Sequence, residues 1–124
     1  MPSDMIRNML EWYRLQPLDL PLIGALRDTP GVFRLSYKSA DNQFYVFFVG
    51  TAPSSLKEEL RRILVQTENS CIKTHLDNLE CYFRFAYLPS DMVANDIERT
   101  LYEKFKPRCN LSVPGGQIIE INFD

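Results

Sequence analysis

The sequence predicts an α+β fold: a small, largely antiparallel three-stranded sheet with flanking helices, an N-terminal helical arm and a short C-terminal strand. Three observations predict it. Val32 to Tyr37 and Glu80 to Leu88 alternate with period two, as half-buried strands do. Phe44 to Val49 is a continuous apolar run, the pattern of a central strand covered on both faces. Two further stretches repeat with the 3.6-residue period of amphipathic helices. A hairpin, a helix, a third strand and a second helix together make a sheet with helices packed on it.

Each element has its own signals. Ser3 or Asp4 can cap a first helix running to about Tyr13, with Met5, Met9, Leu10 and Tyr13 on its apolar face. Gln16-Pro17 ends it. Leu18 to Asp28 reads as a short turn of helix lying over the core. Thr29-Pro30-Gly31 is a turn. In the strand after it, Phe33, Leu35 and Tyr37 share one face. Asp41-Asn42 suits the turn to the next strand, which Gly50 ends. A loop centred on Ala40-Asp41 sets Phe33 opposite Phe48. By the same parity Tyr45 points to the other face. Ser55-Leu56-Lys57-Glu58 is a capping box, and Leu56, Leu60, Ile63 and Leu64 form the buried side of the helix it starts. Asn69 to Asn78 is less regular. The long helix covers Val93 to Phe105, with Ser90 or Asp91 as cap and Pro107 as terminator. Ile118 to Phe123 alternates like a final short strand. The chain divides into an arm, 1–29, a core, 30–110, and a C-terminal strand, 111–124, within one domain.

Composition narrows the function. A chain of 124 residues can bury one real core. The net charge of −2 argues against a strongly electrostatic nucleic-acid binder. Cys71, Cys81 and Cys109 are an odd number with no Cys-x-x-Cys pair, and the lone histidine is His75. They read as buried thiols of a reducing compartment, not as a zinc site. No apolar run is long enough to span a membrane, and a cytoplasmic protein without a signal peptide is expected.

Glu98 is the anomaly of the long helix. Ala94, Ile97, Leu101 and Phe105 form the apolar stripe, and Glu98 lies beside it. A carboxylate there must find a cation, a hydrogen bond or a metal. It reads either as an edge residue, snorkelling or paired with an arginine, or as a metal ligand on the floor of a cleft.

The ordered set Gly31-Val32-Phe33, Phe48-Val49-Gly50, Ser55-Leu56-Lys57-Glu58-Glu59-Leu60, Glu98 and Lys106-Pro107-Arg108-Cys109-Asn110 resembles the GIY-YIG nuclease superfamily. It looks most like the version at the N-terminus of the excision-repair endonuclease, over roughly Pro30 to Asn110. The resemblance implies a nuclease scaffold. The family's first tripeptide ends in tyrosine, and here stands Phe33. Its second begins with a tyrosine that helps activate the attacking water, and here stands Phe48. Its helical arginine falls on Glu59, its metal-binding glutamate on Glu98 and its late asparagine on Asn110. The tyrosine before that asparagine is Cys109. Phosphodiester hydrolysis on one metal needs an activated water, an electrophilic ion and a cation on the developing charge. Phenylalanine offers no hydroxyl, and a glutamate repels phosphate. Arg62, one helical turn from Glu59, is the stand-in cation.

The leading expectation is therefore a GIY-YIG-like domain with a degenerate site, a non-catalytic nucleic-acid-binding or interaction domain with no cofactor. One alternative is an endonuclease with Mg²⁺ or Mn²⁺ on Glu98, using Arg62 and Asn110. Another is a protein-docking domain that works through its N-terminal arm.

Overall fold

The computed structural model describes residues 9–124. Among them it is an α+β fold built on a four-stranded antiparallel sheet. The strands are β1 (Gln16–Pro17), β2 (Gly31–Lys38), β3 (Phe44–Ala52) and β4 (Cys81–Tyr87). They lie in the order β1-β4-β2-β3. The helices are α1 (Leu20–Gly24), α2 (Leu56–Gln66), α3 (Ser70–Asn78) and α4 (Ala94–Phe105).

Strands β2 and β4 and helices α1, α2 and α4 stand where the sequence places them. β3 forms where expected but at the edge of the sheet, not as a central strand covered on both faces, and Phe44 and Tyr45 at its start are exposed. The arm does not stand where the sequence places it. Of its expected helix, residues 1–8 lie outside the described residues, and 9–15 are not helical. Residues 13–18 instead run extended beside β4. Tyr13 N–H donates to Phe85 O at 2.9 Å and Leu18 N–H to Cys81 O at 3.0 Å. These residues satisfy an edge of β4 whose N–H and C=O groups would otherwise stand open. The sheet gains its short fourth strand that way, where three were expected.

Alternation splits the side chains of the sheet between two apolar clusters. Phe33, Leu35, Phe47, Ala52, Phe83 and Phe85 pack with Leu56, Leu60 and Ile63 of α2 and Ile72 of α3. Val32, Val49 and Ala86 face the other way and pack with Ile97 and Leu101 of α4. Ser55 caps α2 by accepting from Glu58 N–H at 3.1 Å, as its capping box predicts. Neither Ser90 nor Asp91 caps α4. Its N-cap is Val93, whose side chain makes no capping bond, because Met92 N–H bonds Pro89 O in a turn that uses up those residues.

A β-bulge corrects the hairpin register. Tyr37 pairs with Tyr45 and Ser36 with Val46, but Leu35 then pairs with Phe48 and Phe33 with Gly50. Phe47 is the extra residue. Two successive side chains, Phe47 and Phe48, join the same cluster as a result. Phe33 and Phe48 are thus diagonal neighbours with ring centroids 6.1 Å apart, not a directly opposed pair. Tyr45 is carried to the face of Tyr37, 5.7 Å away ring to ring, against the parity of an unbulged strand. Gly50 makes the arrangement fit. A Cβ there would lie 2.7 Å from the Phe33 ring and 2.9 Å from that of Phe48.

The final strand does not form either. Residues 111–124 have no ladder partner. Ile119, Ile121 and Phe123 do alternate inward, onto the cluster of Val32 and Ile97. Side chains hold the segment instead: Ile119 N–H donates to Thr100 Oγ1 and Gln117 N–H to Asp96 Oδ1, each at 2.9 Å. Period-two patterning reports an extended segment on an apolar surface, whether or not another strand pairs with it.

Candidate functional site

The residues that the sequence singles out do not converge. Phe33 is fully buried and Phe48 partly so, both in the cluster beneath α2. Their faces are apolar contact surfaces, and neither can place a hydroxyl near a substrate.

Arg62 is exposed on α2, and Glu59 holds it. Its Nη2 donates to Glu59 Oε2 at 2.6 Å and its Nε to Glu59 Oε1 at 3.2 Å. This two-point contact is the strong form of the guanidinium–carboxylate pair. It raises the Arg62 pKa above its ordinary value. Arg62 is therefore neutralised by the residue at the family's arginine position, one turn away on the same helix.

Asn110 is also engaged. Its Oδ1 accepts from Val49 N–H at 3.0 Å, and its Nδ2 donates to Val49 O at 2.9 Å. The side-chain amide imitates one rung of a strand along the outer edge of β3. Beside it Cys109 N–H donates to Phe47 O at 2.9 Å. The segment closes the sheet edge that would otherwise invite another strand.

Glu98 sits half-buried on α4, whose apolar residues pack on the face of Val32 and Val49, opposite Phe33 and Phe48. Among the described residues it has no hydrogen-bond or ion-pair partner. Neither an arginine partner nor a set of fellow ligands accompanies it. Burial pushes its pKa up. Its folded form favours the proton, so it stabilises the fold below the pKa of the unfolded carboxyl and loses that contribution as pH rises through the folded value. Glu98→Gln is accordingly expected to raise the melting temperature at pH 7, with the gain fading below about pH 4, near the unfolded Glu pKa. Calorimetry across that range checks it; an equal gain at both ends would refute the titration as cause.

One cluster was not foreseen. Cys71 on α3 and Cys109 after α4 form a disulfide, with Cα atoms 5.3 Å apart. This corrects the reading of both as thiols, and the argument for a reducing compartment no longer rests on them. Cys81 is the free cysteine, its pKa pushed by burial up to about 11. His75 lies against the bridge, with Nδ1 3.6 Å from Cys109 Sγ. The same nitrogen contacts Cys71 O at 2.8 Å, which fixes it as the protonated donor. The ring stacks on Phe47 at 4.4 Å. The ligand atoms of Cys71, His75 and Cys109 lie within 4.8 Å of one another, but the two sulfurs are bonded to each other. Asn69 completes this corner. Its Oδ1 caps α3 by accepting from Cys71 N–H at 3.0 Å, and its Nδ2 donates to Cys109 O at 2.9 Å. The Asn69-Ser70 cap and the Ile72–Leu76 spacing were the signals for α3.

No helix among the described residues is long and apolar enough to cross a membrane. Neither a family model, nor a curated protein, nor a solved structure matches this chain.

Proposed function

We propose that this chain is a non-catalytic interaction domain on a GIY-YIG-like scaffold, docking protein in preference to nucleic acid. The observation that carries the reading is the commitment of the site residues to structural partners. Arg62 is held by Glu59 and Asn110 by the Val49 backbone, while Phe33 lies in the core. A phosphodiester would meet no free cation and no hydroxyl at those positions. The net charge of −2 disfavours a nucleic-acid partner.

Purified protein with Mg²⁺ or Mn²⁺ is expected to leave supercoiled and branched DNA intact. Loss of a single preorganised donor costs on the order of 10²–10³ in rate, and such losses combine non-additively. The restored combination Phe33→Tyr, Phe48→Tyr and Glu59→Arg is not expected to cut either. The hydroxyl that Phe33→Tyr introduces would enter a fully buried position, at a cost of about 1–3 kcal/mol if unpaired, and Glu59→Arg sets a second cation beside Arg62. Metal-dependent nicking by the wild type that disappears in Glu98→Ala would replace this reading with an endonuclease. Glu98, half-buried and without a partner among the described residues, is the observation that favours that second reading. Its own check is a melting temperature raised by millimolar Mg²⁺ in the wild type and unmoved in Glu98→Gln.

A further inference from the structure

The face of the sheet opposite Phe33 carries two arginines that the nuclease resemblance does not use; the Nε of one, Arg84, donates to Tyr13 O at 2.8 Å. Arg34 and Arg84 stand directly across from each other on β2 and β4. Like charges in that register repel. Arg34 is only 7 % exposed, and among the described residues its Nη1 has no hydrogen-bond partner. Burial first, and Arg84 second, pull its pKa down to about 10. Its guanidinium lies over the rings of Trp12, at 4.8 Å, and Phe105, at 5.0 Å.

Residues 117–124 cover these groups as a bound peptide would. Ile119, Ile121 and Phe123 fill the apolar surface. Asn122 grips the arm at two points, accepting from Leu10 N–H at 2.6 Å and donating to Leu10 O at 2.8 Å. Trp12 Nε1–H donates to Asn122 O at 2.9 Å. Arg34 Nη2 donates to Phe123 O, and Arg84 Nη1 to Asp124 Oδ1, each at 2.8 Å. The occupation is incomplete. Two guanidinium groups meet one carboxylate, whose side chain is 90 % exposed and lies 3.9 Å from Arg34. No backbone ladder ties the segment to the sheet.

We propose that the surface around Trp12, Arg34 and Arg84 is a docking site for an extended, alternately apolar peptide of a partner protein that ends in acidic residues. Residues 117–124 hold it in cis, and the partner segment takes their place. The acidic end supplies the acceptor that Arg34 Nη1 lacks, and the apolar residues at alternate positions enter the surface now filled by Ile119, Ile121 and Phe123. Recognition of this kind uses side-chain pockets along an extended strand. The proposal rests on the interaction-domain reading and names the partner's chemistry.

The probe is a fluorescein-labelled octapeptide with the sequence of residues 117–124, added to full-length protein. Trp12 is the single tryptophan, so its emission reports on the site. The cis segment competes at an effective concentration on the order of millimolar, and the wild type is expected to bind the peptide weakly. Phe123→Ala should shift Trp12 emission and tighten peptide binding roughly tenfold or more, since truncating an aromatic anchor releases the competitor. Asp124→Lys, at a side chain outside the apolar core, should act in the same direction less strongly. Arg84→Ala in either background should weaken the peptide again. A changed Trp12 emission without peptide binding at millimolar concentration overturns the proposal. So does unchanged emission in both variants. A wild-type dimer that Phe123→Ala abolishes overturns the partner assignment in favour of exchange between copies. DNA nicking by the wild type would refute the non-catalytic reading whatever the peptide does, and an unbound peptide with intact DNA refutes only this inference.

Discussion

Reduction of the Cys71–Cys109 disulfide is expected to lower the unfolding free energy by about 4 kcal/mol. The two cysteines are 38 residues apart. In the chain-entropy treatment a loop of that length removes freedom from the unfolded state worth that amount at 25 °C. For a chain of this size the change corresponds to roughly 15 °C in melting temperature. The bridge also has local work. It joins α3 to the segment that lines the β3 edge, the same segment that Asn69 and Asn110 hold by hydrogen bonds. Calorimetry with and without a dithiol reductant, beside a Cys71→Ala, Cys109→Ala variant, measures the effect. The variant should melt where the reduced wild type does and ignore the reductant. A wild type that is equally stable in both conditions would show that the bridge does not constrain the chain.

What the sequence made legible, and what it hid, divides along physical lines. Strand and helix periodicity locates β2, β4, α2 and α4 because each buries one face, and burial is what periodicity records; β3 shows only as a continuous apolar run. The capping box at Ser55 was readable because the cap is local. The bulge was not. Phe44 to Val49 is apolar throughout, so no polar residue marks the place where alternation skips, and only the partner strand reveals that Phe47 is the extra residue. The same blindness misplaced Tyr45. The arm carried helical spacing, yet its backbone found partners in Phe85 and Cys81, a long-range competition that no local window of sequence contains. The candidate site failed in a further way. Motif positions stand apart in the sequence, whereas a site needs side chains that are free and together. Glu59 was visible at the arginine position, and its spacing to Arg62 was visible too; their mutual neutralisation follows from the helix alone. The grip of Asn110 on Val49 needed the sheet.

Phe47→Ala is expected to cost about 3–5 kcal/mol, the range for truncating a fully buried phenylalanine. Phe47 is buried completely, and it is the residue that the bulge adds. Its ring stacks on His75 and lies 6.3 Å from that of Tyr37, while its carbonyl receives Cys109 N–H. One residue thus touches the sheet, α3 and the lining of the β3 edge. Removing the ring leaves His75, polar and nearly buried, without the face it rests on. Phe47→Leu retains most of the apolar volume and should cost less than half as much. Stability of a domain this size is only about 5–15 kcal/mol, so Phe47→Ala combined with loss of the disulfide is expected to unfold the protein. The coupling is better measured with Phe47→Leu in the oxidised and the reduced protein. Contacts through His75 and Cys109 should make the two losses non-additive, by about 0.5 kcal/mol or more, as neighbours in one packed cluster are. Strict additivity in urea denaturation would separate the aromatic stack from the bridge. Phe47 would then be an ordinary core residue, and the corner formed by His75, Cys71 and Cys109 would be held by the covalent bond alone.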